Sequence, residues 1–213
     1  MINYILFDLD DTLYPTSAGL MNEISQRMSE FMVAQVGIPL AEVDRVRRDY
    51  WARYGTTLRG LYIERHVDAQ AFLDYVHDID LDKYLRADAR LDAALAALPQ
   101  AKAIFTNAPA NYARKVLQAL SIGRHFGAIY DINYIAYESK PASSAYRKVA
   151  AALPVRAEEC LMIDDTARNL LPAKALGMQT VWLDGNDNPR AAEGSDAADF
   201  VIKSIYDVVG VVK

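Results

Sequence analysis

The feature that most constrains the fold is an alternation of short apolar runs with amphipathic stretches over the second half of the chain. Apolar runs at 101–105, 128–132, 160–163, 179–183 and 200–202 carry the β-branched and aromatic residues of strands. Between them, 87–98, 109–120, 143–153 and 167–176 show helical spacing, the last stopped by Gly177. Strands joined through helices cannot pair as hairpins, so the pattern predicts a parallel sheet covered by helices on both faces, an α/β fold of three layers. In such a sheet the carboxyl ends of the strands form the binding edge. One further run, Tyr4-Ile5-Leu6-Phe7, reads as a buried strand and ends in the acidic segment Asp8-Leu9-Asp10-Asp11.

Between that first strand and the alternating region nothing resembles a strand. Leu20, Ile24, Met28, Phe31 and Met32 recur at helical spacing and predict a helix over 17–36, stopped by Gly37 and Pro39. Further helices are expected at 40–54, 57–66 and 69–76. The organisation predicted is a Rossmann-like core of residues 1–13 and 86–213, with an all-helical insert at 14–85 beside the binding edge.

A chain of 213 residues has room for one core and a small insert. The formal charge of -5 is mild, and Lys and Arg are spread along the chain. That disfavours a polymeric nucleic acid or a membrane as partner and favours a small molecule. Cys160 is the single cysteine, so no internal disulfide can form, and Met1-Ile2-Asn3-Tyr4 lacks the basic and apolar regions of a secretory signal. The expectation is a cytoplasmic protein. The sequence leaves its oligomeric state, homo-oligomer included, open.

Polar groups recur after the strands: Asp8 and Asp10 after the first, Thr106-Asn107 after Ile104-Phe105, and Asp164-Asp165 after Leu161-Met162-Ile163. Lys140-Pro141 adds a cation before the helix at 143. Each is an ordinary turn or cap residue taken singly; together, at one sheet edge, they describe phosphoryl chemistry. A phosphate monoester is nearly dianionic, and a carboxylate nucleophile approaches it only if cations cancel a repulsion of several kcal/mol at ~4 Å. Magnesium, which takes oxygen ligands, suits Asp8 and Asp165. Lys140 and Thr106 would hold the phosphoryl oxygens. Asp8, leading its loop, is the candidate nucleophile, and Asp10, two residues on, the candidate general acid and base.

The segment Phe7-Asp8-Leu9-Asp10-Asp11-Thr12-Leu13 resembles the first motif of the haloacid dehalogenase-like hydrolases, with Thr106, Lys140 and Asp164-Asp165 resembling the second, third and fourth. The resemblance implies an aspartyl-phosphate intermediate on Asp8 and Asp10 as acid/base. It also implies magnesium held by Asp8, the main-chain carbonyl of Asp10 and Asp165, with Asp164 in support. The insert is similar to the helical cap of that superfamily. Asp10 to Pro15 and Tyr50 to Leu61 resemble the pyrimidine 5'-nucleotidase group, implying a nucleoside monophosphate such as UMP or CMP. Two departures from the usual pattern are Asp11, where Asn is usual, and Asn169, where many members carry Asp.

Tyr14, Tyr54, Thr56, Thr57 and Arg59 are the candidates for a substrate-facing cap surface, against the alternative that tyrosines at helical spacing are core. Arg45, Arg47 and Arg48 read as a solvated helix face. His66, His77 and His125 show no metal-ligand spacing and read as surface or capping residues, and Cys160 as a small buried side chain. The rival functions are a phosphatase of a sugar phosphate or other small metabolite, a phosphomutase, a haloacid dehalogenase, and a silent binding module. Asp10 argues against the dehalogenase. The presence of Asp8, Asp10, Lys140 and Asp165 together argues against the silent module.

Overall fold

Each of the six apolar runs becomes a strand of one parallel sheet in the structure, a computed structural model that describes residues 1–185 and 192–212. The strands are β1 (Tyr4–Phe7), β2 (Ala101–Phe105), β3 (Ala128–Tyr130), β4 (Cys160–Asp164), β5 (Gln179–Leu183) and β6 (Phe200–Ile202). Their order is β3-β2-β1-β4-β5-β6, so β1 lies between β2 and β4. Tyr4 is opposite both Ala101 and Cys160, and Phe7 opposite Ile104 and Ile163. This register brings Asp8, Thr106 and Asp164 to one edge.

The helices are α1 (Leu20–Ala34), α2 (Leu40–Tyr54), α3 (Thr57–Arg65), α4 (Ala69–Val76), α5 (Ala89–Ala96), α6 (Ala110–Ala119), α7 (Ser143–Ala150), α8 (Leu170–Ala175) and α9 (Val208–Val211). Side chains of β1 alternate between faces, as a pleated strand requires. Ile5 and Phe7 join the core under α5, α6 and α9, and Tyr4 and Leu6 join the one under α7 and α8. Burial on both sides explains why β1 is apolar throughout. Among the described residues no helix is long and apolar enough to cross a membrane.

In the helical insert, α1 packs on α2 and α4, and α2 on α3. Phe31 meets Phe72 edge to face at 5.2 Å between ring centroids. A Cβ at Gly60 would lie 2.2 Å from Tyr50 Cγ, so the α2–α3 contact requires glycine there. The Thr56 hydroxyl accepts from Arg59 N and caps α3, while Asp68 and Asp88 cap α4 and α5.

Several predicted ends are corrected. The first insert helix starts at Leu20, not 17, because Thr16–Ala18 is a 3-10 turn closed by Gly19. β3 stops at Tyr130 because the Asp131 carboxylate accepts from Ala110 N and Tyr134 N and turns the chain. The helix expected over 167–176 divides into a 3-10 turn, Ala167–Asn169, and α8, with Pro172 in the first turn, where a missing N–H is tolerated.

Candidate active site

Asp8 is held at the end of β1 by the ladder itself, since its N–H donates to Ile163 O at 2.9 Å. Its Oδ1 accepts from Lys140 Nζ at 2.7 Å and its Oδ2 from Thr12 Oγ1 at 3.2 Å. Lys140 Nζ also donates to Asp164 Oδ2 at 2.7 Å, so one ammonium bridges two carboxylates from neighbouring strands. Lys140 is only 1% exposed. Burial alone would lower its pKa, but Asp164 and Asp8 outweigh that and raise it, so the ammonium stays charged.

The Asp164 Oδ1 accepts from Thr166 N and from Asn169 Nδ2, each at 2.9 Å. The Asn169 amide therefore supplies a donor to the acidic pair. Burial raises the Asp164 carboxyl to about 6 even against the pull of Lys140. The carboxyl of Asp165 is also driven up, first by burial and then by Asp164 and Asp8. Asp165 is fixed through its main chain: its N–H donates to Thr12 Oγ1, and Trp182 Nε1 donates to its carbonyl.

Asp8, Asp164 and Asp165 each bring one carboxylate oxygen within 4.8 Å of the others. An all-oxygen set whose mutual repulsion a cation would relieve fits magnesium. The side-chain cluster contains Asp164 where the sequence resemblance implied only support. The Asp10 carboxyl turns elsewhere. Its Oδ1 accepts from Tyr14 OH at 2.6 Å and Tyr112 OH at 2.9 Å. Burial raises its pKa to about 6, with the Tyr14 hydrogen bond opposing. Tyr14, expected on the substrate surface, is thus a buried partner of Asp10. Asp11, at φ 56°, is raised to about 7 by burial and by Asp10.

Thr106 is buried; its Oγ1 accepts from Ala108 N at 3.0 Å and lines the cleft. The Asn107 side chain, expected to bind phosphate, clamps the Lys140 peptide: its Oδ1 accepts from Lys140 N at 2.8 Å and its Nδ2 donates to Lys140 O at 3.3 Å. The lysine is therefore fixed at both its main chain and its ammonium.

These groups open into a cleft of about 330 Å³ whose opposite wall is the helical insert. Thr56 and Thr57 line it. Tyr54 and Arg59 do not. The Tyr54 hydroxyl donates to Glu64 Oε1 and accepts from Arg53 Nη2, and Arg59 Nη1 donates to Tyr137 O. Both are spent on structure away from the cleft. Two lining residues escaped the sequence reading. Arg47 is partly buried on the cleft side of α2 while Arg45 and Arg48 are exposed, and His77, at the end of α4, stacks obliquely on Tyr112 at 4.5 Å. Arg47 follows the buried Val46 and stands four residues after the buried Val43; that phase was the available signal.

The insert touches the segment 139–141 directly. At Gly55 (φ +88°) an added Cβ would lie 2.6 Å from Lys140 O and 2.9 Å from Pro141 Cδ. Thr56 Oγ1 donates to Ser139 Oγ, and Arg168 Nη2 to Trp51 O with its guanidinium over the Trp51 ring.

A family model described as haloacid dehalogenase-like hydrolase matches residues 2–177. The chain is 27% identical over 188 residues to phosphate metabolism protein 8 of Saccharomyces cerevisiae, a match that covers 81% of this chain and 58% of that protein, so it spans little more than half of that relative. It is 23% identical over 229 residues to phosphoglycolate phosphatase 1 of Pseudomonas aeruginosa, covering 96% of this chain and 78% of the relative. Its fold is similar to that of YfnB of Bacillus subtilis, solved bound to magnesium, with a TM-score of 0.64 at 17% identity over 100% of this chain and 99% of that one.

Proposed function

The chain belongs to the haloacid dehalogenase-like hydrolases, and from that premise we propose that it is a phosphomonoester phosphatase whose nucleophile is Asp8. One observation carries the reading: a buried ammonium joins Asp8 to Asp164 at the sheet edge while a separate carboxyl, Asp10, is kept protonatable by burial and oriented by two phenols. Asp8 attacks phosphorus as the bond to the ester oxygen breaks, and Asp10 gives its proton to the departing alkoxide. Asp10 then takes a proton from the water that attacks the aspartyl phosphate, which frees Asp8 and inorganic phosphate. A pKa near 6 suits a group that must both give and accept a proton near neutrality. Lys140 and the Thr106 hydroxyl face the phosphoryl oxygens, and Asn107 keeps the lysine in register. Asp8 and Asp165, with the Asp10 carbonyl and the adjoining Asp164, would hold magnesium, which would supply the positive charge that lets two anions meet.

In this reading residues 14–85 act as a cap over a core of 1–13 and 86–213, of which 186–191 and 213 lie outside the described residues. The substrate is a small phosphate ester. The finer reading, a pyrimidine nucleoside monophosphate, rests on the sequence resemblance and on Thr56 and Thr57 in the cleft wall. A sugar phosphate is the competing class. Purified protein with magnesium is expected to hydrolyse p-nitrophenyl phosphate, and Asp8→Asn or chelation to abolish turnover; undiminished turnover by the Asn variant rejects the mechanism. A higher kcat/KM for UMP and CMP than for purine nucleotides or sugar phosphates supports the finer reading, and a clear sugar-phosphate preference rejects it.

A further inference from the structure

The cap wall of the cleft carries a cation that the proposed chemistry does not use. Arg47 is held by neutral acceptors only: Nη1 donates to Ser25 O and Ser29 Oγ, each at 3.0 Å, and Nη2 to Ser25 Oγ at 2.7 Å, with Met28 Sδ at 3.9 Å. Among the described residues its buried Nε has no hydrogen-bond partner. No carboxylate forms an ion pair with it among the described residues, although acids crowd the opposite side of the same cleft. A guanidinium taken out of water costs free energy unless an anion compensates it, and an unsatisfied buried N–H adds to that cost. Burial pulls the Arg47 pKa downward, with only Asp44 of the same helix opposing. A strut between α1 and α2 could have been made from a neutral side chain.

The second observation is the wall around it. Met21, Ile24 and Met28 from α1 and Phe72 and Leu73 from α4 line the same cleft as Arg47, and Met28 touches its guanidinium, so the insert side of the cleft is largely apolar apart from this charge. Such a wall strengthens attraction to an anion and offers a neutral polar group few other partners. Lys140, the other cation of the cleft, is already bridged between Asp8 and Asp164 and belongs to the phosphoryl end. The cleft therefore has one cation on the core side and one on the insert side.

We propose that Arg47 is a specificity-determining residue that binds a second oxyanion on the alcohol portion of the substrate, so that the preferred ester carries an anionic group at each end. This rests on the phosphatase reading of the same cleft and stands against the pyrimidine nucleotide reading, because UMP carries no second oxyanion. The second oxyanion is a carboxylate or a further phosphate, and either meets the planar guanidinium. Arg47 touches the departing alcohol and not the reacting phosphorus.

The test uses matched esters with magnesium: 4-phosphonooxybutyrate against butyl phosphate, propane-1,3-diol bisphosphate against propyl phosphate, and UMP as an ester with neutral carbonyls. Wild-type protein is expected to prefer the member with the second anionic group by about ten-fold or more in kcat/KM, chiefly through KM; whichever pair gives the larger ratio identifies the oxyanion. Arg47→Met should bring that ratio close to one, and Arg47→Lys should restore part of it. Thermal melts establish that each variant is folded. If Arg47→Met slows both members equally and keeps the ratio, the residue is a strut and the proposal is wrong; the same holds if the wild type shows no preference for a second anionic group or prefers UMP to both esters that carry one. Absence of turnover on every ester would instead remove the phosphatase reading beneath it.

Discussion

Substituting Gly55 by Ala tests whether the helical insert holds Lys140 in place. Two costs arise at this position. A side chain at φ +88° is strained by about 1–2 kcal/mol, and the Cβ overlaps Lys140 O at 2.6 Å, an overpacking worth about 1–3 kcal/mol. Gly37 is the built-in control: it has φ +75° but nothing within 4 Å of an added Cβ, so Gly37→Ala pays the strain alone. The difference between the two variants, about 1–3 kcal/mol, isolates the contact with the Lys140 carbonyl. Relieving the overlap moves the peptide that Asn107 clamps and shifts an ammonium now 2.7 Å from Asp8. A displacement approaching 1 Å at such a group costs about 10²-fold in rate. Urea denaturation gives the stability difference, and p-nitrophenyl phosphate hydrolysis gives kcat. Equal stability losses in Gly55→Ala and Gly37→Ala, with kcat of the Gly55 variant within about three-fold of wild type, would refute a coupling of the insert to Lys140.

Three further outcomes are expected. Lys140→Met strands Asp8 and Asp164 without their shared cation and should cost about 3–5 kcal/mol at neutral pH. A carboxyl whose folded pKa lies above its unfolded value loses stabilising effect as pH rises, so this penalty should be larger at pH 8 than at pH 5 in urea titrations; a pH-independent penalty contradicts the ion-pair account. His77 is lowered by burial from 6.5 to about 4, so the unfolded chain takes up a proton at a pH where the folded one does not. Wild type should therefore lose up to about 3 kcal/mol relative to His77→Gln as pH falls from 6.5 to 4, less whatever solvent at the ring edge screens; parallel stability curves would exclude it. Tyr112→Phe leaves Asp10 with Tyr14 as its one phenolic donor and should reduce kcat about ten-fold at a stability cost of about 1 kcal/mol, measurable by steady-state kinetics and urea titration; an unaltered kcat would show that Tyr112 does not orient the acid.

The parts of the site legible in the sequence are those that the sheet positions. Asp8, Thr106 and Asp164 follow strands whose apolar content announces them, and parallel register then brings their carboxyl ends together. Lys140 was legible only as one member of that set. What escaped was decided by contacts between distant segments. The Tyr112 hydroxyl meets Asp10 across the core, and nothing near Tyr112 in the chain signals a carboxylate. Arg47 sits among exposed charges and was read with them, yet the helix turns it toward Ser25 and Ser29. Tyr54 and Arg59 were placed at the substrate by their segment's resemblance, but Glu64 and the Tyr137 carbonyl claim them first. Element ends failed where a side chain bent the chain, as Asp131 does after β3.

The placement of β1 also sets the order in which this protein can assemble. The strand that bears Asp8 is synthesised before either of its neighbours, and its edges stay unpaired until β2 and then β4 leave the ribosome. The four insert helices, whose partners are close in the chain, can gather in the meantime. An early, apolar, two-sided strand waiting on late partners is a point of exposure to aggregation, so the nascent chain has most need of a chaperone before residue 164 has emerged.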